Sequence, residues 1–290
     1  MVMKKNAMRR NLRQSIVKSF GRYIAIVAII ALGAALFIGL LMTKEDMVTT
    51  GQKFMRQQNM FDLRVMNSYG WTAKYLEEIS QIEGIEDIEA VTYLDLIARV
   101  GEAEDDSVYR FLEIPKTVNK VALRGGRLPE GPEECLADGF YYDDSILGQT
   151  VTISETNDED SLADVACKTF TVVGYVATPL YMDMNRGTTS VGSGSLTSFF
   201  YVPEGAFDMD YIPEINITIP GDYAIYTDEY NDALEAAADA MEPQLQVLAD
   251  KRLEEVREEA MDAYHDGLEE FADGLMEYAE GKGRGRQRAI

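Results

Sequence analysis

The sequence predicts a membrane-anchored α+β chain with one N-terminal transmembrane helix, an extracytoplasmic mixed α/β domain and a C-terminal helix of coiled-coil type. Three observations carry this expectation. Residues 23–42 (YIAIVAIIALGAALFIGLLM) form an uncharged run of 20 residues. Residues 61–226 alternate short segments of strand and helix character with Gly and Pro punctuation. Residues 264–281 repeat a pattern every seven residues.

The apolar run comes first. Twenty helical residues at about 1.5 Å rise per residue span roughly 30 Å, the thickness of a bilayer's hydrocarbon core. The 22-residue head before it carries Lys4, Lys5, Arg9, Arg10, Arg13, Lys18 and Arg22 and no acidic residue, which places the N-terminus in the cytoplasm. A cleaved signal peptide has a shorter apolar stretch and a small-x-small exit, whereas this run leaves as LeuLeuMetThrLysGluAsp. Ala31, Ala35 and Gly39 recur at four-residue spacing and offer a transmembrane packing face for another helix; the plain Gly/Ala richness of membrane helices explains them equally well. Within the head, Met8, Leu12, Ile16, Val17 and Phe20 fall near helical spacing, as in an amphipathic helix lying on the cytoplasmic leaflet. Residues 43–60 read as a stalk continuing the membrane helix outward.

Charge divides the chain in two. The 248 residues beyond Met42 hold 20 of the 27 basic residues and all 50 acidic ones, a formal net charge of −30. Such a surface repels nucleic acid and anionic lipid, so nucleic acid is excluded as a partner and only the head and span meet membrane lipid. Attraction of cationic ligands and simple solubility are both served by it. Cys135 and Cys167 are too few for a disulfide framework; two buried thiols are the plainer reading and a single bridge is the alternative.

The expected elements of the domain at 61–226 begin with a strand at 61–66. A helix capped by Thr72 follows, with Leu76, Ile79 and Ile82 on its apolar face and Gly84 at its end, and then a strand at 88–100. That order is a split βαβ unit. Further strands are expected at 108–114, 118–123, 150–154, 169–176, 198–202 and 214–219, with the acidic runs 102–106 and 158–160 in loops. Residues 227–281 form a helical arm. Thr227 and Asp228 open one helix through Met241, Pro243 marks a boundary, and a second helix covers 244–280. Its heptads place Leu268, Phe271, Leu275 and Tyr278 on one seam, which calls for a returning antiparallel helix. Gly267, Gly274 and Gly281 each cost about 1 kcal/mol of helix stability. The basic, glycine-rich tail at 282–290, expected to be disordered, reverses the charge sign abruptly and reads as the mark of a prematurely truncated gene product, with a functional basic tail as the alternative.

No catalytic, cofactor or metal motif stands out. The glycine-rich stretch 186–195 lacks the lysine of a phosphate-binding loop and reads as a flexible loop. His265 is the sole histidine and sits among the heptads, far from both cysteines. The sequon Asn216-Ile217-Thr218 falls in an expected strand.

Several segments together resemble the N-terminal part of an ABC transporter permease of the MacB/FtsX-like family, in its branch with a long coiled-coil insert. They are SerPheGlyArgTyr (19–23), AlaLeuGly (31–33), AspLeuArgVal (62–65), GlyTrpThr (70–72), GlyGlyArgLeuProGlu (125–130) and a Glu-Cys strand start at 134–135. PheThrValValGlyTyrValAlaThrProLeuTyr (170–181), ArgGlyThrThrSerValGlySerGlySerLeu (186–196) and the AspGly heptads at 266 and 273 complete the set. The resemblance implies a MacB-like core domain, an ABC ATPase subunit as partner, a second permease copy or remaining permease half, and export or mechanical signalling, with ATP hydrolysed by the partner. It also implies further membrane helices that these 290 residues lack. A competing reading is a single-pass binding protein whose acidic domain and coiled coil engage an extracytoplasmic protein.

Overall fold

A computed structural model describes residues 2–287, with side chains described at 8–10 and 12–276. The elements run α1 (Val2–Gln57), β1 (Leu63–Trp71), α2 (Ala73–Ser80), β2 (Ile88–Val91), β3 (Tyr93–Val100), β4 (Ser107–Glu113) and β5 (Ala122–Gly126). They continue with β6 (Glu134–Asp138), β7 (Thr150–Ile153), α3 (Glu159–Ala163), β8 (Thr169–Ala177), β9 (Ser198–Val202), β10 (Ile212–Ile217) and α4 (Asp228–Gln287). The chain divides into two compact units, Met1–Phe54 and Met55–Ile290.

In the first unit α1 is long and apolar enough to cross a membrane by length and composition, and none of its apolar window is buried. Residues 6–20 do not form a separate helix: they are the first part of α1, and residues 6–23 contain no proline and a single glycine, Gly21, to interrupt it. Thr43 returns its hydroxyl to the Gly39 carbonyl at 2.8 Å, a bond that satisfies a polar side chain inside a helix.

The second unit is built on two sheets. The smaller has the order β1-β10-β2, with β10 antiparallel to both neighbours, so β1 and β2 run parallel to each other with α2 between them in the chain. This is the expected split βαβ arrangement, and its inserted strand arrives more than a hundred residues later. The alternation in β10 explains its two faces. Ile215 and Ile217 join Trp71, Tyr75, Ile79, Met241 and Leu248 in a core under α2 and the start of α4, while Glu214 and Asn216 point to the other face. Thr72 starts α2 without a side-chain capping bond.

The larger sheet, order β5-β8-β6-β9-β4-β3-β7, closes on itself because β7 pairs with β8 as well as β3. Closure makes a six-stranded barrel (β3-β4-β9-β6-β8-β7) with β5 flanking β8, and it removes the exposed edges that an open sheet would present. Phe111, Phe170 and Phe200 fill the interior, with ring centroids 5.6 Å apart for Phe111–Phe200 and 6.0 Å for Phe111–Phe170. Strand β9 (SFFYV) is buried at all five positions: Phe200 and Val202 face the interior, Phe199 and Tyr201 a second core outside. Its unbroken apolar run follows from that double burial.

Several expectations are corrected. The single strand expected at 88–100 is two strands in different sheets, because the chain leaves the small sheet and enters the barrel at Thr92. Asp158 caps a short helix in place of a loop, its carboxylate accepting the Ser161 N–H at 2.8 Å. The strand expected at 118–123 begins at Ala122, and residues 118–120 are loop. Strand β6 was expected only through the resemblance. Pro243 does not divide the C-terminal helices: α4 is continuous, since the proline faces solvent while Met241, Leu245 and Leu248 carry one apolar stripe past it onto the small sheet. At the start of α4, the Thr227 Oγ1 accepts the Tyr230 N–H at 3.2 Å, the expected cap. Cys135 is buried and Cys167 partly buried, and both are free thiols. Burial pushes the Cys135 thiol well above its ordinary pKa.

Candidate functional site

Two polar constellations in the second unit gather side-chain hydrogen bonds and ion pairs from several elements. The first gathers around residues 56–62, where α1 ends. Asn59 adopts a left-handed φ of 51°, which turns the chain out of the helix. Its Nδ2 donates to Asp87 Oδ2 and to the Thr117 carbonyl, both at 2.9 Å, and Asn119 Oδ1 accepts the Phe61 N–H at 3.0 Å. Asp62 accepts the Ile219 N–H at 2.8 Å and the Tyr230 hydroxyl at 2.6 Å. Arg56 meets Asp222 at 2.8 Å and the Tyr223 carbonyl at 2.9 Å. Glu89 on β2 accepts the backbone N–H groups of Lys116, Thr117 and Val118, so the loop between β4 and β5 is tied to the small sheet. Burial, and then the hydrogen-bonded Asp62 carboxylate, push the Tyr230 hydroxyl well above its ordinary pKa. Residues 56–62 are thereby clamped to the small sheet, to the β4–β5 loop and to the start of α4.

The second constellation is a cleft of about 310 Å³ between the two sheets, walled by Arg64 and Glu214 from the small sheet, Tyr93 and Arg110 from the barrel, and the loop 180–187. Arg110 binds Asp95 through two bonds, at 2.6 and 2.8 Å, and its guanidinium lies 4.2 Å from the Tyr93 ring centroid. Burial works against the charge on Arg110, yet the hydrogen-bonded Asp95 carboxylate, together with Tyr181 and Tyr93, outweighs it and raises the pKa. Glu214 meets Arg64 at 3.0 Å; burial raises its carboxyl above the usual glutamate range and Arg64 opposes that rise. Burial likewise raises Tyr93 and Tyr181.

The loop expected to be flexible is held in place. The Arg186 side chain is 1% exposed, its Nε donates to Asp138 Oδ2 at 2.6 Å and its Nη1 to the Asp183 carbonyl. Ser198 donates to the same Asp138 oxygen, and the guanidinium lies within 5.0–5.5 Å of the centroids of Phe140, Tyr141, Tyr181 and Phe199. Farther along, Thr188 bridges Ser195, and Gly192 (φ 53°) sits so close to Val108 that a Cβ would lie 2.8 Å from its methyl. The sequence shows an arginine before a glycine-rich run but nothing that places it in the interior; its partner Asp138 is 48 residues upstream.

The sequence-derived residues lie elsewhere. Ala31, Ala35 and Gly39 are exposed on α1, and a Cβ added at Gly39 would touch nothing. Leu268, Phe271 and Leu275 are exposed on α4 at 46%, 67% and 53%; the Tyr278 side chain lies outside the described residues, and of the tail expected to be disordered at 282–290, residues 282–287 continue α4 while 288–290 lie outside the described residues. His265 is exposed. Asn216 of the sequon is fully buried in the central strand β10, which bars a glycan in the folded domain. Among the described residues no three His, Cys, Asp or Glu side chains are placed to hold a metal ion.

No protein-family model matches this chain, and no curated protein matches it. Solved structures to which it is similar include the extracellular domain of the noncanonic ABC-type transporter YknZ from Gram-positive bacteria. That likeness has 14% identity, covers 58% of this chain and 80% of that one, and has a TM-score of 0.34. The periplasmic region of MacB from Actinobacillus actinomycetemcomitans is similar at 14% identity over 63% of this chain and 76% of that one, also with a TM-score of 0.34. At scores this low neither likeness bears on function.

Proposed function

We propose that this chain is a permease subunit of an ABC transporter, in which α1 spans the cytoplasmic membrane with its N-terminus inside and the domain built on the two sheets lies outside. The observation that carries the reading is the clamp at residues 56–62. A domain that answers movement of a membrane helix needs the emerging chain fastened to several of its parts at once, and Asn59, Asp62 and Arg56 do this with directional bonds. The residues that carry the family resemblance support it. Asp62 belongs to the clamp, Trp71 to the core under α2, Arg127 pairs with Glu134 through two bonds, strand β8 joins three neighbours, and Arg186 pins its loop.

In this reading the chain performs no catalysis and takes no cofactor; a separate ABC ATPase hydrolyses ATP, and a second permease copy or permease half supplies further membrane helices. Ala31, Ala35 and Gly39 are the face those helices approach, and the Leu268, Phe271, Leu275 and Tyr278 seam receives a second arm. The test is co-purification. The chain, extracted in mild detergent after cross-linking in its own cells, should bring down an ATPase with a GlyXXXXGlyLys(Ser/Thr) loop, and extraction without one overturns the permease reading. The span is tested separately: Leu32→Arg should cost about 2.5 to 3.5 kcal/mol of insertion and lower the membrane fraction. The exposed seam on α4 favours a second reading, a single-pass protein that binds an extracytoplasmic partner, whose signature is a stable oligomer held by that seam.

A further inference from the structure

Around the Arg186–Asp138 pair, four large apolar side chains stand in solvent. Phe140 is 57% exposed, Tyr141 44%, Met182 51% and Met184 65%. The two segments that carry them meet: the Phe140 and Tyr141 rings are 5.7 Å apart, and the Tyr141 hydroxyl donates to the Met184 carbonyl at 2.8 Å, two residues from Met182. Single exposed apolar residues need no explanation, but four on two segments joined by one frame mark an interaction surface.

The frame is the buried ion pair. Stripping two charges of water is seldom more stabilising than packing apolar side chains in their place, so such a pair is better evidence for a fixed geometry than for stability. Here it joins the two segments that carry the apolar group. Asp138 holds the turn by accepting the Phe140 N–H at 2.9 Å, and Arg186 reaches the Asp183 carbonyl between the two methionines. The Nη2 of Arg186 is buried among the surrounding rings without a protein partner.

Charge decides the occupant. Residues 138–147 and 180–187 contain Asp138, Asp143, Asp144 and Asp183 and one cation, Arg186, which Asp138 neutralises. The two segments that carry the apolar group thus bring three further carboxylates, Asp143, Asp144 and Asp183, beyond the neutralised pair. We propose that this face docks a cationic amphipathic segment of another protein or peptide, with its apolar side chains on Phe140, Tyr141, Met182 and Met184 and its Lys or Arg side chains beside Asp143, Asp144 and Asp183. Methionine side chains adapt to varied apolar partners, which suits such a surface. The same carboxylates repel an anionic bilayer. The docking face is independent of the permease reading, since it involves neither the clamp nor the membrane helix.

The test uses the full chain in nanodiscs of zwitterionic lipid, with empty nanodiscs as reference. A labelled Leu/Lys amphipathic helical peptide and an oligolysine of equal charge are titrated by fluorescence anisotropy. The amphipathic peptide should bind about tenfold or more tighter than oligolysine, and Phe140→Ser/Met184→Ser should remove about that factor while leaving oligolysine binding unchanged. Met182→Ser/Met184→Ser, which leaves the aromatic pair intact, should weaken the peptide in the same direction. Equal peptide affinity for the unaltered chain and both variants overturns the proposal, as does a peptide that binds no tighter than oligolysine. Loss of phosphatidylserine-vesicle binding in the variants with peptide binding unchanged makes the face a membrane contact and also overturns it.

Discussion

Between residues 234 and 248, helix α4 turns Leu234, Ala237, Met241, Leu245 and Leu248 onto the three-stranded sheet, where Met241 is 1% exposed. Between residues 261 and 275 steps of three and four with the same mean period place Met261, Tyr264, Leu268, Phe271 and Leu275 in solvent, with Phe271 at 67%. One helix therefore carries two apolar seams of equal period and opposite fate. The nearer seam is positioned by bonds that have nothing to do with periodicity: Thr227 caps the helix and Tyr230 donates to Asp62, which sets the first turn against the clamp. Period states that a helix face wants a partner; distance along the chain from an anchored point decides whether this fold supplies one.

The contrast can be broken most forcefully at Met241. Met241→Ala should destabilise the second unit by about 2 to 5 kcal/mol, read as a lower denaturation midpoint of the full chain. A loss as small as that of an exposed residue would mean that the first seam is not seated as described. Thr227→Ala removes the cap and should cost about 0.5 to 2 kcal/mol by the same measurement.

On the distal seam the expected effects shrink and one changes sign. A Cβ at Gly274 meets nothing, so Gly274→Ala should add up to about 1 kcal/mol of local helix stability, seen as slower amide exchange in residues 261–276 with the global midpoint unmoved. Phe271→Ala should change global stability by less than about 0.5 kcal/mol. A larger loss, dependent on protein concentration, would show that a partner helix already covers the seam in solution.

Legibility followed the same divide between local and distant causes. The apolar span, the helix after Thr72, the strands near 108, 150, 169 and 198 and the opening of α4 were visible because each is a local pattern of burial or capping. The break at Thr92 was not, since Val91 and Tyr93 look alike in sequence and differ only in which strand pairs with them: β10 for one, β4 for the other. The clamp and the Arg186 latch were equally hidden. Asn59, Asp62, Asp138 and Arg186 are ordinary polar residues until partners 28 to 168 residues away are brought beside them. A Pro243 boundary was a reasonable local inference that packing overrode, because the residue faces solvent while the stripe beside it stays seated.

By itself the sequence determined the apolar helix, the acidic character of everything beyond it, the order of most elements and the periods of their faces, because these depend on side chains within a few turns of one another. The tertiary structure alone decided that β10 enters between β1 and β2, that the larger sheet closes through β7 and β8, and that Arg186 is buried while Phe271 is exposed. Each of those outcomes is settled by which distant surfaces exclude water together and which buried polar atoms find partners, and neither is written in the spacing of neighbouring residues.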